Sequence, residues 1–242
     1  MTIDEIPPTD SPSSFETHGD TLDSELAGED QALSLLKQTD LRAQTIEELS
    51  KNPALLKSRK VKLAIIGHPR TPRHVSLALL RQLFTFDLMQ VAVLPVAARD
   101  IKKAAEDALI NRLESVTLGE RLSLARRSSG RVAFVLLCDK ESRVATEALE
   151  NPRLTEGLII RALNDDDATP HLVHAVCHHL KWSARREIRA ALLRSEHIPL
   201  SLAVEFMREI PTEVRDEILR SSRLAADAKA YLQNENLSAS RG

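Results

Sequence analysis

Rings are scarce in this chain. Of 242 residues one is Trp, one is Tyr and five are Phe, an aromatic share of 3%. The ring platforms on which bases or sugars stack are therefore nearly absent, and an interior must be filled by Leu, Ala, Val and Ile. Cysteine is scarcer still. Cys138 and Cys177 are the only two, each inside an apolar run, which excludes a disulfide scaffold or a multi-cysteine metal site and predicts two reduced core thiols. No run of about 18 apolar residues offers a membrane span. The N-terminus also lacks the basic start and apolar stretch of a secretory leader. A cytoplasmic protein without membrane partner, cofactor or metal is the expectation.

What is present begins with a division of charge. Residues 1–30 hold nine acids (Asp4, Glu5, Asp10, Glu16, Asp20, Asp23, Glu25, Glu29, Asp30), no Lys or Arg, and Pro7, Pro8 and Pro12. Such a composition predicts a disordered acidic tail. The formal net charge of -2 is thus a cancellation, because residues 31–242 carry all 33 basic residues against 26 acids. A tail of this kind competes with an anionic partner for the basic body, docks on it at low salt, or simply keeps the chain in solution.

From residue 31 the text is rich in Leu, Ala, Arg and Glu and holds only five of the seven glycines, a helical composition. Thr71-Pro72 and Thr169-Pro170 each place a capping hydroxyl before a proline suited to the first helical position. Thr117 and Glu120 have capping-box spacing. Other prolines mark joints between short helices. Their spacing is regular: Pro53 to Pro95 is 42 residues, Pro170 to Pro211 is 41, Pro69 to Pro152 is 83 and Pro72 to Pro199 is 127. Under the 83-residue shift His68-Pro69-Arg70-Thr71 falls on Asn151-Pro152-Arg153-Leu154. A period near 42 predicts stacked helical hairpins, each unable to bury its apolar face alone.

At these residues the chain resembles bacterial HEAT-like α-solenoid proteins, and Asn151-Pro152-Arg153-Leu154-Thr155-Glu156 looks like the Asn-Pro joint of leucine-rich-variant repeats. The resemblance implies an all-α solenoid of about five HEAT-like helical-hairpin repeats over residues 31–233, with a short flexible tail at 234–242. It also implies a surface that binds protein or nucleic acid. A rival α/β reading takes 61–67, 90–94 and 132–137 as buried strands. However, the prolines after Gly67 spoil a phosphate loop, and 141–233 contains no strand-like run.

Candidate chemistry gathers late in the chain. His171, His174 and His178 share one face of a helix starting at Pro170, opposite a stripe of Leu172, Val173, Val176 and Leu180. They are expected to face outward, available to an anion or a metal, although no His-Glu-x-x-His pattern is present. Lys181, Arg185, Arg186, Arg189 and Arg194 follow, with Arg185 and Arg189 spaced to lie side by side on a helix. With the three histidines they form a candidate patch for an anionic partner. Lesser basic clusters fall at Lys57, Arg59, Lys60 and Lys62, and at Arg121, Arg126, Arg127 and Arg131. Asp165-Asp166-Asp167 suits a helix N-terminus better than a cation site, and Trp182 is expected to bury its ring and pair its N–H. No catalytic signature is found. The expected function is a non-enzymatic scaffold binding a protein partner. The alternative is a nucleic-acid-binding solenoid resembling HEAT-like DNA glycosylases.

Overall fold

The computed structural model describes residues 19–239, and every regular element among them is helical. The chain divides into two compact units, Met1–Ser76 and Leu77–Gly242. The first contains α1 (Gly19–Leu36), α2 (Ala43–Lys51), a 3-10 turn at Leu55–Lys57 and α3 (Arg59–Gly67), and α4 (Arg73–Leu80) runs across the division. In this unit α1 and α2 pack on α3 and on the 3-10 turn, burying Ala32, Leu36, Ile46, Val61 and Ile65. Ser58 caps α3 by accepting from the Val61 N–H and donates its own hydroxyl to Glu29 at 2.9 Å.

The second unit continues with α5 (Thr85–Val93), α6 (Arg99–Ile110), α7 (Leu118–Arg127), α8 (Gly130–Leu137), α9 (Ser142–Leu149), α10 (Glu156–Leu163) and α11 (Pro170–His178). It ends with α12 (Leu180–Ser183), α13 (Arg186–Arg194), α14 (Leu200–Arg208), α15 (Thr212–Ser221) and α16 (Ala226–Ala239). Alternate helices pack together. One row runs α5, α7, α9, α11 and another runs α6, α8, α10, α13, α15, while α14 packs on α16. The aliphatic interior expected from the composition is present, with Leu, Ile, Val and Ala supplying nearly all of it.

The α/β reading is overturned, because 61–67 and 132–137 lie within α3 and α8 and 90–94 is the last turn of α5 with its C-cap Leu94. Their burial shows why. In α8 the buried residues are Val132, Ala133, Leu136 and Leu137, the spacing of one helical face and not an alternation.

The prolines are joints, as expected, and their geometry repeats. Backbone turns close from the Thr71 N–H to the His68 carbonyl, from Ala97 to Leu94 and from Leu154 to Asn151. Pro69, Pro95 and Pro152 occupy the second turn position, where a fixed φ is favourable. The 83-residue correspondence extends to side chains. His68 Nδ1 accepts from the Arg70 N–H at 3.1 Å and Asn151 Oδ1 from the Arg153 N–H at 2.8 Å. Arg70 then donates to the Asp40 carbonyl, and Arg153 to that of Arg127. Asn151, wholly buried, also donates to the Ala125 and Ser128 carbonyls at 2.7 and 3.1 Å.

Several expectations need correction. Helices α7, α8, α9 and α10 begin at residues 118, 130, 142 and 156, so a 42-residue step spans three helices and not the two of one hairpin. Helix α1 begins at Gly19, inside the acidic 1–30 stretch, and its continuation buries Ala32 and Leu36, while 1–18 lie outside the described residues. Helix α16 likewise takes in most of the presumed C-terminal tail, leaving 240–242 outside the described residues. The Thr71 hydroxyl donates to the Ile65 carbonyl, and α4 starts at Arg73. Cys138 is exposed and only Cys177 is buried, because α8 ends at Leu137 and carries Cys138 past the packed face.

Candidate functional site

Helix α11 begins as its sequence dictates. Pro170 is in the first turn and Thr169 Oγ1 accepts from the Leu172 N–H at 3.2 Å. Leu172, Val173, Val176 and Cys177 face inward, while His171, His174 and His178 are exposed. The His174 and His178 rings lie 4.2 Å apart between centroids, and His178 Nδ1 is 2.8 Å from the His174 carbonyl. Among the described residues no group of three or more His, Cys, Asp or Glu is arranged to hold a metal ion.

The helix stops at His179, whose extended backbone both ends α11 and starts α12. That break changes the expected pattern. Leu180, placed by helical periodicity on the buried stripe, is 92% exposed and is the most exposed large apolar residue described. Its neighbour Trp182 turns inward, buried with its Nε1 donating to the Leu149 carbonyl at 2.9 Å. Lys181 holds its ammonium 3.9 Å from the centre of that ring. The His179 ring lies beside it, with Nε2 3.3 Å from Glu150.

The five cations of the expected patch separate into two groups. Arg185 and Arg186, at the start of α13, are exposed, and neither carries a side-chain hydrogen bond or ion pair among the described residues. His174, His178, Leu180 and Lys181 are also exposed, along α11 and α12 ahead of them. Arg189 and Arg194 are structural. Arg189 donates to the Ser183 carbonyl, pairs with Glu209 and lies 5.2 Å over the Phe206 ring, tying α12 and α13 to α14. Arg194 Nε donates to Ser221 Oγ at 3.2 Å, joining α13 to α15. The expected side-by-side pair of Arg185 and Arg189 fails because Arg185 precedes the helix as its N-cap and Arg189 turns toward Glu209.

Three of the four arginines in the second of the lesser clusters make ion pairs. Arg131 contacts Asp107 at 2.6 Å and Glu106 at 3.5 Å, and the Asp107 bond holds its guanidinium pKa above the ordinary value. Arg126 reaches Glu147, and Arg121 reaches Asp139. The triple aspartate forms a turn in which Asp165 Oδ1 accepts from the Asp167 N–H. Arg223 clamps this turn, donating to the Asp165 carbonyl and to Asp166.

Sequence reasoning missed Leu180, because no Gly or Pro marks the break at His179. It also missed the anchoring roles of Arg189 and Arg223, whose partners lie 20 and 57 residues away. Among the described residues no helix is long and apolar enough to cross a membrane. No protein-family model, curated protein or solved structure matches the chain.

Proposed function

We propose that this chain is a non-enzymatic helical-repeat scaffold of the cytoplasm, an α-solenoid of the HEAT-like or leucine-rich-variant kind. In this reading it binds an acidic, partly apolar segment of a protein partner at the α11–α12–α13 corner. The observation that carries the reading is the almost fully exposed Leu180, in a stretch that also exposes Lys181, Arg185 and Arg186. Removing an exposed apolar side chain from water at an interface is favourable, and Arg forks suit carboxylates. The alternating helix rows of the second unit and the matching joints at His68 and Asn151 support the repeat architecture. About five repeats remains the working number, each of three helices and not two.

The same cations attract nucleic acid. That reading is weaker, because Trp182, the one Trp, Tyr or Phe of α11–α13, is buried and its N–H committed, which leaves only the smaller His171, His174 and His178 rings exposed for base stacking.

The test is affinity capture with the full chain and with a Leu180→Asp, Arg185→Glu, Arg186→Glu variant, each with and without nuclease treatment. The wild type should retain a defined partner that weakens as salt screens the contact, and the variant should lose it while keeping its helical circular dichroism. Retention by the variant would contradict the assignment of the corner. A partner that disappears on nuclease treatment would favour nucleic acid.

A further inference from the structure

A second site lies away from the corner residues, in a cleft of about 440 Å³ between the 3-10 turn at Leu113–Ser115, α7 and the end of α8. Its volume is within the range of small-molecule sites. Leu113, Val135 and Leu136 make its apolar lining. Into this lining comes Arg121, whose side chain is only 24% exposed. A guanidinium carries five N–H donors. Here a single contact is made, from Nη1 to Asp139 Oδ2 at 3.5 Å, and Nε is buried without an acceptor. A buried donor left this way is costly and calls for an acceptor.

The rest of the rim restricts what that acceptor belongs to. Glu114 and Asp139 lie on the lining, and Asp139 is already held by the Glu141 N–H. The Cys138 thiol, also on the lining, is pushed above its ordinary pKa by desolvation and further by the Asp165 and Asp167 carboxylates. Lys140 adds one cation. The lining therefore sets two carboxylates, Glu114 and Asp139, beside two cations, Arg121 and Lys140, and Asp139 already faces Arg121, which leaves the exposed Glu114 to meet a positive charge. A ligand that gives Arg121 a carboxylate is best matched if it also brings an ammonium for Glu114 and an aliphatic group for the lining.

We infer that this cleft is a binding site for a free aliphatic α-amino acid of the leucine type, with the carboxylate on Arg121, the ammonium toward Glu114 and the side chain against Leu113, Val135 and Leu136. The site is independent of the docking corner, so Leu180→Asp leaves it unchanged.

The experiment is a nuclear magnetic resonance titration of the full ¹⁵N-labelled chain, reading the Arg121 Nε–Hε signal and the Cys138–Lys140 amides. L-leucine should give saturable shifts. N-acetyl-L-leucine lacks the ammonium, L-leucinamide the carboxylate and glycine the side chain, and each should bind at least about tenfold more weakly. No saturable shift at about 10 mM leucine, or leucinamide binding as well as leucine, overturns the proposal. Arg121→Gln should abolish the shifts. Should that variant fail to fold through loss of the Asp139 contact, Glu114→Gln at an exposed position decides. It should weaken leucine at least about threefold and leave N-acetyl-leucine unchanged, and unaltered leucine binding overturns the ammonium assignment.

Discussion

Replacing Asn151 with Ala strands three backbone groups at once. The Ala125 and Ser128 carbonyls lose their donor, and the Arg153 N–H loses its acceptor. Each buried unmade bond costs about 1–3 kcal/mol, so urea unfolding of Asn151→Ala should show a loss of about 3 kcal/mol or more. A loss under about 0.5 kcal/mol would remove the joint from the account. The Asn-Pro-Arg-Leu text was legible as a joint. Its second use, a side chain reaching back to carbonyls 26 and 23 residues earlier, was not, since sequence adjacency carries no record of long-range partners.

Cys177 gives a second residue-scale test. Burial raises its thiol pKa from 9.0 to about 12. The folded state thus keeps a proton that the unfolded chain releases, and this contribution is intact below pH 9.0 and is lost as pH rises toward about 12. Stability should fall across that window. At pH 8 a thiol reagent should label Cys138 in the folded chain and reach Cys177 only on addition of denaturant. Equal labelling rates for both in the folded chain would show that Cys177 is not buried.

At the scale of elements, boundaries follow short-range chemistry and failures follow packing. The Thr117–Glu120 box was legible and forms in full, holding the Glu120 carboxyl below its ordinary pKa through bonds to the Thr117 N–H and hydroxyl. Thr117→Ala should cost about 1 kcal/mol in thermal or urea unfolding, and no measurable change would deny the cap any role. Gly130 starts α8 so close to the next joint that an added Cβ would sit 2.5 Å from the Arg153 carbonyl oxygen. Alanine is the better helix former by about 1 kcal/mol, yet Gly130→Ala should destabilise, by about 1–3 kcal/mol. A stabilised variant would mean that α8 and the 151–154 turn are not in contact. The break at His179 is the opposite case. Periodicity placed Leu180 inside, and the break turns Trp182 inward instead, where its ring is buried and its N–H reaches the Leu149 carbonyl.

For the whole molecule, composition foretold the fold class and little of the site. Few rings and abundant aliphatics meant stacked helices, and the described residues are helical throughout their regular elements. The spacing of prolines gave the period, but not the number of helices inside it, because short helices of 8 to 10 residues leave no punctuation stronger than a Ser or Gly. The charge count located a basic stretch at 181–194. It did not separate Arg185 and Arg186, which remain free, from Arg189 and Arg194, which bind α14 and α15. That separation rests on carboxylates and hydroxyls far along the chain.

The central claim is that the Leu180 corner is a docking surface. A photo-crosslinking residue placed at position 180 tests it most directly in living cells, with the same residue at Phe84, also exposed, as the comparison. The account predicts a discrete protein adduct from position 180, removed by Arg185→Glu with Arg186→Glu, and none from position 84. No adduct at 180, or the same adducts from both positions, would contradict it.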